Sequence, residues 1–247
     1  MLRETGKTKS SNSIFIGIKI YRHKDSFFTW YPGITANSDE AFQEKCEYGQ
    51  CLTVPDSEVY YLKEARFYLK RYGSPAGKLK GRVYVVKGGT PTLVEESVNE
   101  IEVSEVSTYG RWYSFQFNGD AMLYGKIYVV VAFVEGWAGF TDYLRTYYRD
   151  EDVAKGCRVY RTSDGPWTEQ TNFDHQCSID VWKDASLVSG LTLSDMPYDM
   201  SAITDSQLRV QAYLERSLSS DPSPELYSWS LSYYADYVNF TVDYEYR

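Results

Sequence analysis

Residues 65–87 read ARFYLKRYGSPAGKLKGRVYVVK, and this stretch decides the fold class. Ala65, Phe67 and Leu69 alternate with Arg66, Tyr68 and Lys70, giving the segment one apolar and one wettable side. A period of two marks a half-buried strand, because successive side chains leave a pleated chain on opposite faces. Residues 82–87 follow the same logic, and GSPAG at 73–77 lies between the two runs. Proline presets φ near about −65° and the flanking glycines accept positive φ, which lets the chain reverse between strands.

The same period recurs in both directions from this core. Ile14, Ile16, Ile18 and Ile20 alternate with Phe15, Gly17 and Lys19, and Tyr113, Phe115 and Phe117 alternate with Ser114 and Gln116. Residues 127–134, IYVVVAFV, are apolar on both faces. That pattern belongs to a central strand covered on two sides, in a two-sheet sandwich with covering loops or a partner subunit. Residues 143–149 and 158–162 continue the series, and an SDGP turn at 163–166 leads to Cys177, Ile179 and Val181 alternating with Ser178, Asp180 and Trp182. Residues 183–205 read as looser chain. Three further strands follow, centred on Leu208 to Leu214, Trp229 to Tyr233 and Val238 to Val242. The one helical expectation is a short segment over 38–45. Many short strands with regular turn signals predict an all-β sandwich, and the lack of βαβ alternation removes the parallel-sheet enzyme folds.

Composition narrows the function classes. The 247 residues carry 26 Lys+Arg against 34 Asp+Glu, a net charge of −8, the opposite of the basic excess that neutralises nucleic-acid phosphates. Two histidines thin out the usual catalytic choices, whereas 24 tyrosines suit strands and contact surfaces. No run approaches the ~20 apolar residues of a membrane helix, and no secretion leader is read at the N-terminus.

Several stretches carry a resemblance. They are Gly73, Ser74, Pro75 and Gly77; Gly89, Thr90, Pro91 and Thr92; Trp112 and Phe115; residues 123–130; and residues 160–168. Together they resemble the jelly-roll, galactose-binding-like β-sandwich modules of secreted and virion surface proteins. The resemblance implies a jelly-roll sandwich over 40–182, an N-terminal strand arm over 1–39 and a C-terminal strand unit over 183–247. The segment QLRVQAYLERSLSSDPSPELYSWSLSY, 207–233, is similar to terminal strand pairs of bacteriophage and archaeal virus tail, spike or fibre proteins. Neither resemblance brings a catalytic residue.

The candidate chemistry is sparse. Cys46 and Cys51 lie close in CEYGQC, and Cys157 and Cys177 flank a hairpin whose midpoint is Trp167, so the cysteines read as two local disulfides. Reduced buried thiols are the alternative, and a Zn²⁺ site of Cys157, His175 and Cys177 lacks a second compact ligand pair. His23 and His175 read as structural. Asp150, Glu151 and Asp152, and Asp195 with Asp199, are candidates for Ca²⁺ or for paired hydrolase carboxylates, without the spacing of a calcium loop. Trp137, with Phe140, Tyr143, Tyr147 and Tyr148, gathers around one loop and strand, and Trp167 sits near a hairpin tip. Flat rings at such places stack on sugars or anchor interfaces, which makes Trp137, Tyr143, Tyr147 and Trp167 the candidate ligand-binding residues. Asn239 is a formal glycosylation acceptor within a strand.

These features lead to an expected non-enzymatic structural protein of a virus particle or extracellular assembly, without a required cofactor. Its expected partners are copies of itself, other particle proteins and surface glycans. A carbohydrate-binding module is the alternative, and a hydrolase using the loop carboxylates is a third reading.

Overall fold

The computed structural model describes residues 15–31, 33–42, 45–56, 58–137, 141–151, 156–162, 165–192, 208–215, 225–234 and 237–245, with side-chain detail confined to positions within 24–184. The chain opens with β1 (Phe15–Tyr31), β2 (Ser38–Phe42), β3 (Glu47–Thr53), β4 (Tyr60–Tyr72) and β5 (Ala76–Lys87). It continues through β6 (Thr90–Glu96), β7 (Ile101–Glu102), β8 (Arg111–Gln116), β9 (Lys126–Trp137) and β10 (Tyr143–Arg149). Then come β11 (Cys157–Arg161), β12 (Thr168–Gln170), β13 (Asp174–His175) and β14 (Cys177–Thr192). The last strands are β15 (Leu208–Glu215), β16 (Glu225–Tyr234) and β17 (Tyr237–Glu245). A 3-10 turn at Val103–Glu105 is the only helical element among the described residues, and none of their helices is long and apolar enough to cross a membrane.

The protein is an all-β sandwich of antiparallel sheets. One compact unit spans Asp25–Lys183, and Met1–Lys24 joins Asp184–Arg247 in another. In the larger unit one sheet runs β13-β10-β4-β14, with β2 on β10 and β8 on β4; the other runs β12-β11-β3-β9-β5-β6, with β7 on β5. From β2 to β5 and again from β8 to β10, successive strands alternate between these sheets. The GSPAG reversal is therefore a corner from one sheet to the other rather than a hairpin. Gly73 turns it with φ +63, and the Ser74 amide donates to Asp142 Oδ1 at 2.6 Å. An L-residue Cβ at Gly73 would meet that same carboxylate at 2.2 Å, so glycine is required both for its φ and for the close approach.

Alternation accounts for the core. Ala65, Phe67 and Leu69 of β4 are buried against Ile127, Val129, Val131 and Phe133 of β9, together with Phe115 of β8. The other face of β9 is also covered, because Tyr128 and Val130 pack with Cys51, Tyr84, Cys157, Val159 and Trp167. A loop hairpin thus supplies the second cover that the doubly apolar run 127–134 demanded.

Two sequence expectations need correction. Residues 38–42 form β2 rather than a helix, because β10 offers this segment a ladder from Ser38 opposite Tyr148 to Phe42 opposite Leu144. The stretch read as loose after 182 continues as strand to Thr192. Its small residues and β-branched Val188 and Thr192 suit an extended chain although they show little contrast between faces.

In the smaller unit, β15 pairs antiparallel with the first part of β1, from Phe15 opposite Glu215 to Arg22 opposite Leu208. There β16 and β17 form a hairpin of their own, and the Lys24 amide donates to Asp184 Oδ1 at 2.9 Å.

Candidate ligand-binding face

Strand β4 carries Tyr68, Lys70 and Tyr72 in phase with one another and out of phase with buried Phe67 and Leu69. They lie on the face turned away from the core, and register extends that face over both neighbours. Tyr72 stands opposite Tyr143 of β10, and Lys70 opposite Arg145. On the other edge of β4, Tyr68 stands opposite Trp112 of β8. The sequence reading singled out Tyr143 and Tyr147; the structure adds Tyr68, Tyr72 and Trp112 to them.

The rings touch in a defined order. Trp112 meets Tyr68 edge-on at 5.7 Å between centroids, and Tyr68 meets Tyr147 in the same manner at 5.3 Å. Three strands therefore contribute one row of aromatics running across the sheet. Beside it, Tyr72 and Tyr143 stack at 5.0 Å with 13° between their planes. The Arg145 guanidinium lies 5.3 Å from the Tyr72 centroid and 5.6 Å from that of Tyr143, and it pairs with Asp39 of β2. Lys70 Nζ lies 4.5 Å from the Tyr72 centroid. Trp112 remains 45% exposed. The Tyr68 ring sits against Gly110, whose φ is +72 and where a Cβ would come within 2.9 Å of the ring.

Electrostatics give this face donors that stay charged. A hydrogen bond with the Tyr72 hydroxyl holds the Lys70 ammonium above its ordinary pKa. The Tyr143 hydroxyl, opposed by partial burial and reinforced by Asp39, raises Arg145 in the same way. Burial raises the Tyr147 hydroxyl, which stays protonated and able to donate. The face is thus a shallow bed of rings rimmed by cations, one carboxylate and hydroxyls.

Other predicted residues lie elsewhere. Trp137 ends β9 with its backbone opposite Ala76; its side chain, like residues 138–140, lies outside the described residues. Tyr148 points away from Tyr147, as adjacent strand residues must, and packs under Arg158 at 4.0 Å from its ring centroid. Trp167 is not presented at a tip. It is half-buried on the other sheet, 5.0 Å from Tyr84 and 5.1 Å from Tyr128, with Arg161 at 4.7 Å. Arg161 and Arg82 in turn both bind the buried Glu47 carboxylate, at 2.8 and 2.7 Å.

The cysteines are arranged differently from the local pairs read in the sequence. Cys46 and Cys177 belong to the sandwich core, whereas Cys51 and Cys157 lie together in the cluster on the outer side of β9. Cys46 and Cys51 are separated by an odd number of positions, which places them on opposite faces of the strand segment. The expected opposition of Cys157 and Cys177 assumed a symmetric hairpin about Trp167. In fact β11 folds onto β12 with Tyr160 opposite Thr168 and Arg158 opposite Gln170, and the chain then leaves for the other sheet. Cys157 instead stands directly opposite Cys51.

His175 takes no part in a metal group with Cys157 and Cys177. Among the described residues the group able to gather around a metal ion is Cys51, Cys157 and Glu169, whose ligand atoms lie within 4.8 Å of one another. His175 is fully buried, with Nε2 2.6 Å from Thr146 Oγ1. Gln50 of β3 reaches across to it, donating to Asp174 Oδ1 at 2.7 Å and accepting from the His175 amide at 2.8 Å. This is a polar clamp between the two sheets. Asp150 is occupied with Asn37 and Glu151 with Arg149 at 2.7 Å. His23's side chain, Asp152, Asp195 and Asp199 lie outside the described residues.

No protein-family model and no curated protein matches this chain. Solved structures do. The clostridial cysteine protease Cwp84 after propeptide cleavage aligns at a TM-score of 0.44 and 12% identity, covering 63% of this chain and 40% of that one. The cysteine protease and lectin-like domains of Cwp84, a surface layer associated protein of Clostridium difficile, align at 0.41 and 9%, covering 60% and 37%. This chain therefore spans about two fifths of the length of those matches. These matches include a cysteine protease, and the sequence-based expectation that the chain is not an enzyme is withdrawn. Likenesses this distant assign no activity to its residues.

Proposed function

We propose that this chain is a carbohydrate-binding module working at an extracellular or particle surface, with its glycan lying across Trp112, Tyr68 and Tyr147. The observation that carries the reading is the row of three rings crossing three strands on an outward face. Sugar rings present C–H faces that stack on aromatics, while their hydroxyls need donors and acceptors close by. Lys70, Arg145 and Asp39 supply these around the row. A shallow, elongated bed suits an extended oligosaccharide better than a compact metabolite, which a deep apolar pocket would hold.

A glycan microarray followed by calorimetry on the strongest hit tests this reading. Removing a stacking ring costs about 2 kcal/mol, or about 30-fold in affinity, so Trp112→Ala and Tyr147→Ala each weaken binding by that order. Trp167→Ala, on the other sheet, leaves affinity unchanged. An array without a ligand, or equal affinity in the two face variants, contradicts the proposal.

A second reading, the self-assembling particle subunit, is favoured by a different observation. Val94 of β6 is 39% exposed and lines one apolar hollow with exposed Met122 and Tyr124. This apolar patch offers a contact for another copy of the chain.

A further inference from the structure

We propose that Cys51 and Cys157 form a redox-active dithiol that closes to a cross-strand disulfide joining β3 to β11. The two residues are direct partners in the antiparallel register. Directly opposed residues in such a ladder have Cα atoms roughly 4.5 to 5.5 Å apart, inside the range of about 4.4 to 6.8 Å that a disulfide spans. Both side chains lie on the same outer face of the sheet, within one apolar cluster with Tyr128 and Trp167. Cys46 and Cys177 sit instead in the sandwich core, where Cys177 stands opposite Phe67.

The surroundings prepare the pair unequally. The Cys51 thiol hydrogen-bonds to Cys157, which lowers the Cys157 pKa against the opposing effects of burial and of the Glu169 carboxylate, the Lys126 ammonium countering the latter. The same contact, with burial, raises Cys51. Within the pair one sulfur attacks as the thiolate and the other resolves.

Metal binding is the competing use of this cluster, and Glu169 argues against it. Its Oε2 accepts from Lys126 Nζ at 2.6 Å and its Oε1 accepts from the Tyr128 hydroxyl. Both oxygens are engaged, and the Lys126 ammonium occupies the side a cation would approach. A divalent ion would have to displace that charge.

The oxidant is a low-molecular-weight disulfide. One thiolate of the pair attacks one of its sulfurs, forming a mixed disulfide and releasing one small thiolate. The other cysteine then attacks the protein sulfur of that mixed disulfide, forming the Cys51–Cys157 bond and expelling the second small thiolate. The proton of the resolving thiol passes to a released thiolate, and the other takes up the proton that the attacking thiol had given to solvent. Two protein thiols and one small disulfide become one protein disulfide and two small thiols. Both cysteines are nearly buried, at 4% and 6% exposure, so the exchange requires local opening of the cover that Trp167 lays over the cluster.

The test equilibrates the purified chain with oxidised and reduced glutathione, blocks free thiols, and maps linked peptides by mass spectrometry without reduction. The expected result is a Cys51–Cys157 peptide with Cys46 and Cys177 alkylated only after denaturation. Oxidation should raise the melting temperature on the order of 10 °C, reversibly, through the long loop it closes. Cys157→Ser should lose this rise, and Cys46→Ala should keep it. Four alkylatable thiols after oxidation, or links involving Cys46 or Cys177 instead, would overturn the proposal. So would one equivalent of Zn²⁺, added alone, protecting Cys51 and Cys157 from alkylation.

Discussion

His175 is the residue whose protonation matters most to the fold. Burial, and then the charge of Arg158, push its imidazole well below the usual 6.5. The unfolded chain therefore takes up the proton first as pH falls below about 6.5, and stability declines with falling pH until the folded imidazole protonates too. Each such proton contributes about 1.4 kcal/mol per pH unit across that window. Urea midpoints measured between about pH 7 and pH 5 should fall in the wild-type protein and fall less in His175→Gln; equal slopes would contradict this role. At this scale the sequence was informative where alternation alone decides orientation. Trp112 shares its phase with Ser114 and Gln116, a signal that places it on the wettable face, and the structure leaves it exposed. Trp167 shows the limit. Its covering role depends on β9 presenting Tyr128 and on β5 presenting Tyr84, which no local pattern reveals.

Single elements were legible where the period was strong. The runs 65–70, 82–87 and 143–149 all fall within strands β4, β5 and β10. They give no sign of which sheet each strand joins, because the alternation of one strand is the same in either sheet. The cysteine register depends on this choice: once β11 pairs with β3, Cys157 meets Cys51. The helical reading of 38–45 failed for a related reason, since ladder pairing with β10 outweighs a weak local preference. Strand β6 carries a prediction at this scale. It closes its sheet among the described residues, and its ladder with β5 slips at Val94, where Tyr84 faces Leu93 and Val83 faces Glu95. Such a bulge blunts strand addition, so any self-association uses the apolar side chains rather than the edge amides. Val94→Lys should shift sedimentation profiles at high concentration toward the monomer if copies meet there, and an unchanged profile would remove this patch from the assembly reading.

On the scale of the larger unit, the two outer faces of the sandwich differ in kind. The face carrying Cys51, Tyr84, Tyr128 and Trp167 is closed over by its own hairpin, whereas the face carrying Trp112, Tyr68 and Tyr147 has no covering strand among the described residues. Acidic net charge does not oppose binding of a neutral glycan, and the local cations Lys70 and Arg145 supply directional donors. All-β class and two-faced strands were legible in the sequence; the aromatic row was not, because each of its ring contacts joins residues more than forty positions apart in the chain. The most direct measurement is an amide chemical-shift map of the isotope-labelled protein titrated with the strongest array glycan. Shifts confined to β4, β8 and β10 around Tyr68, Trp112 and Tyr147 are the predicted result, and shifts centred on Trp167, or on β6 with this face silent, would contradict it.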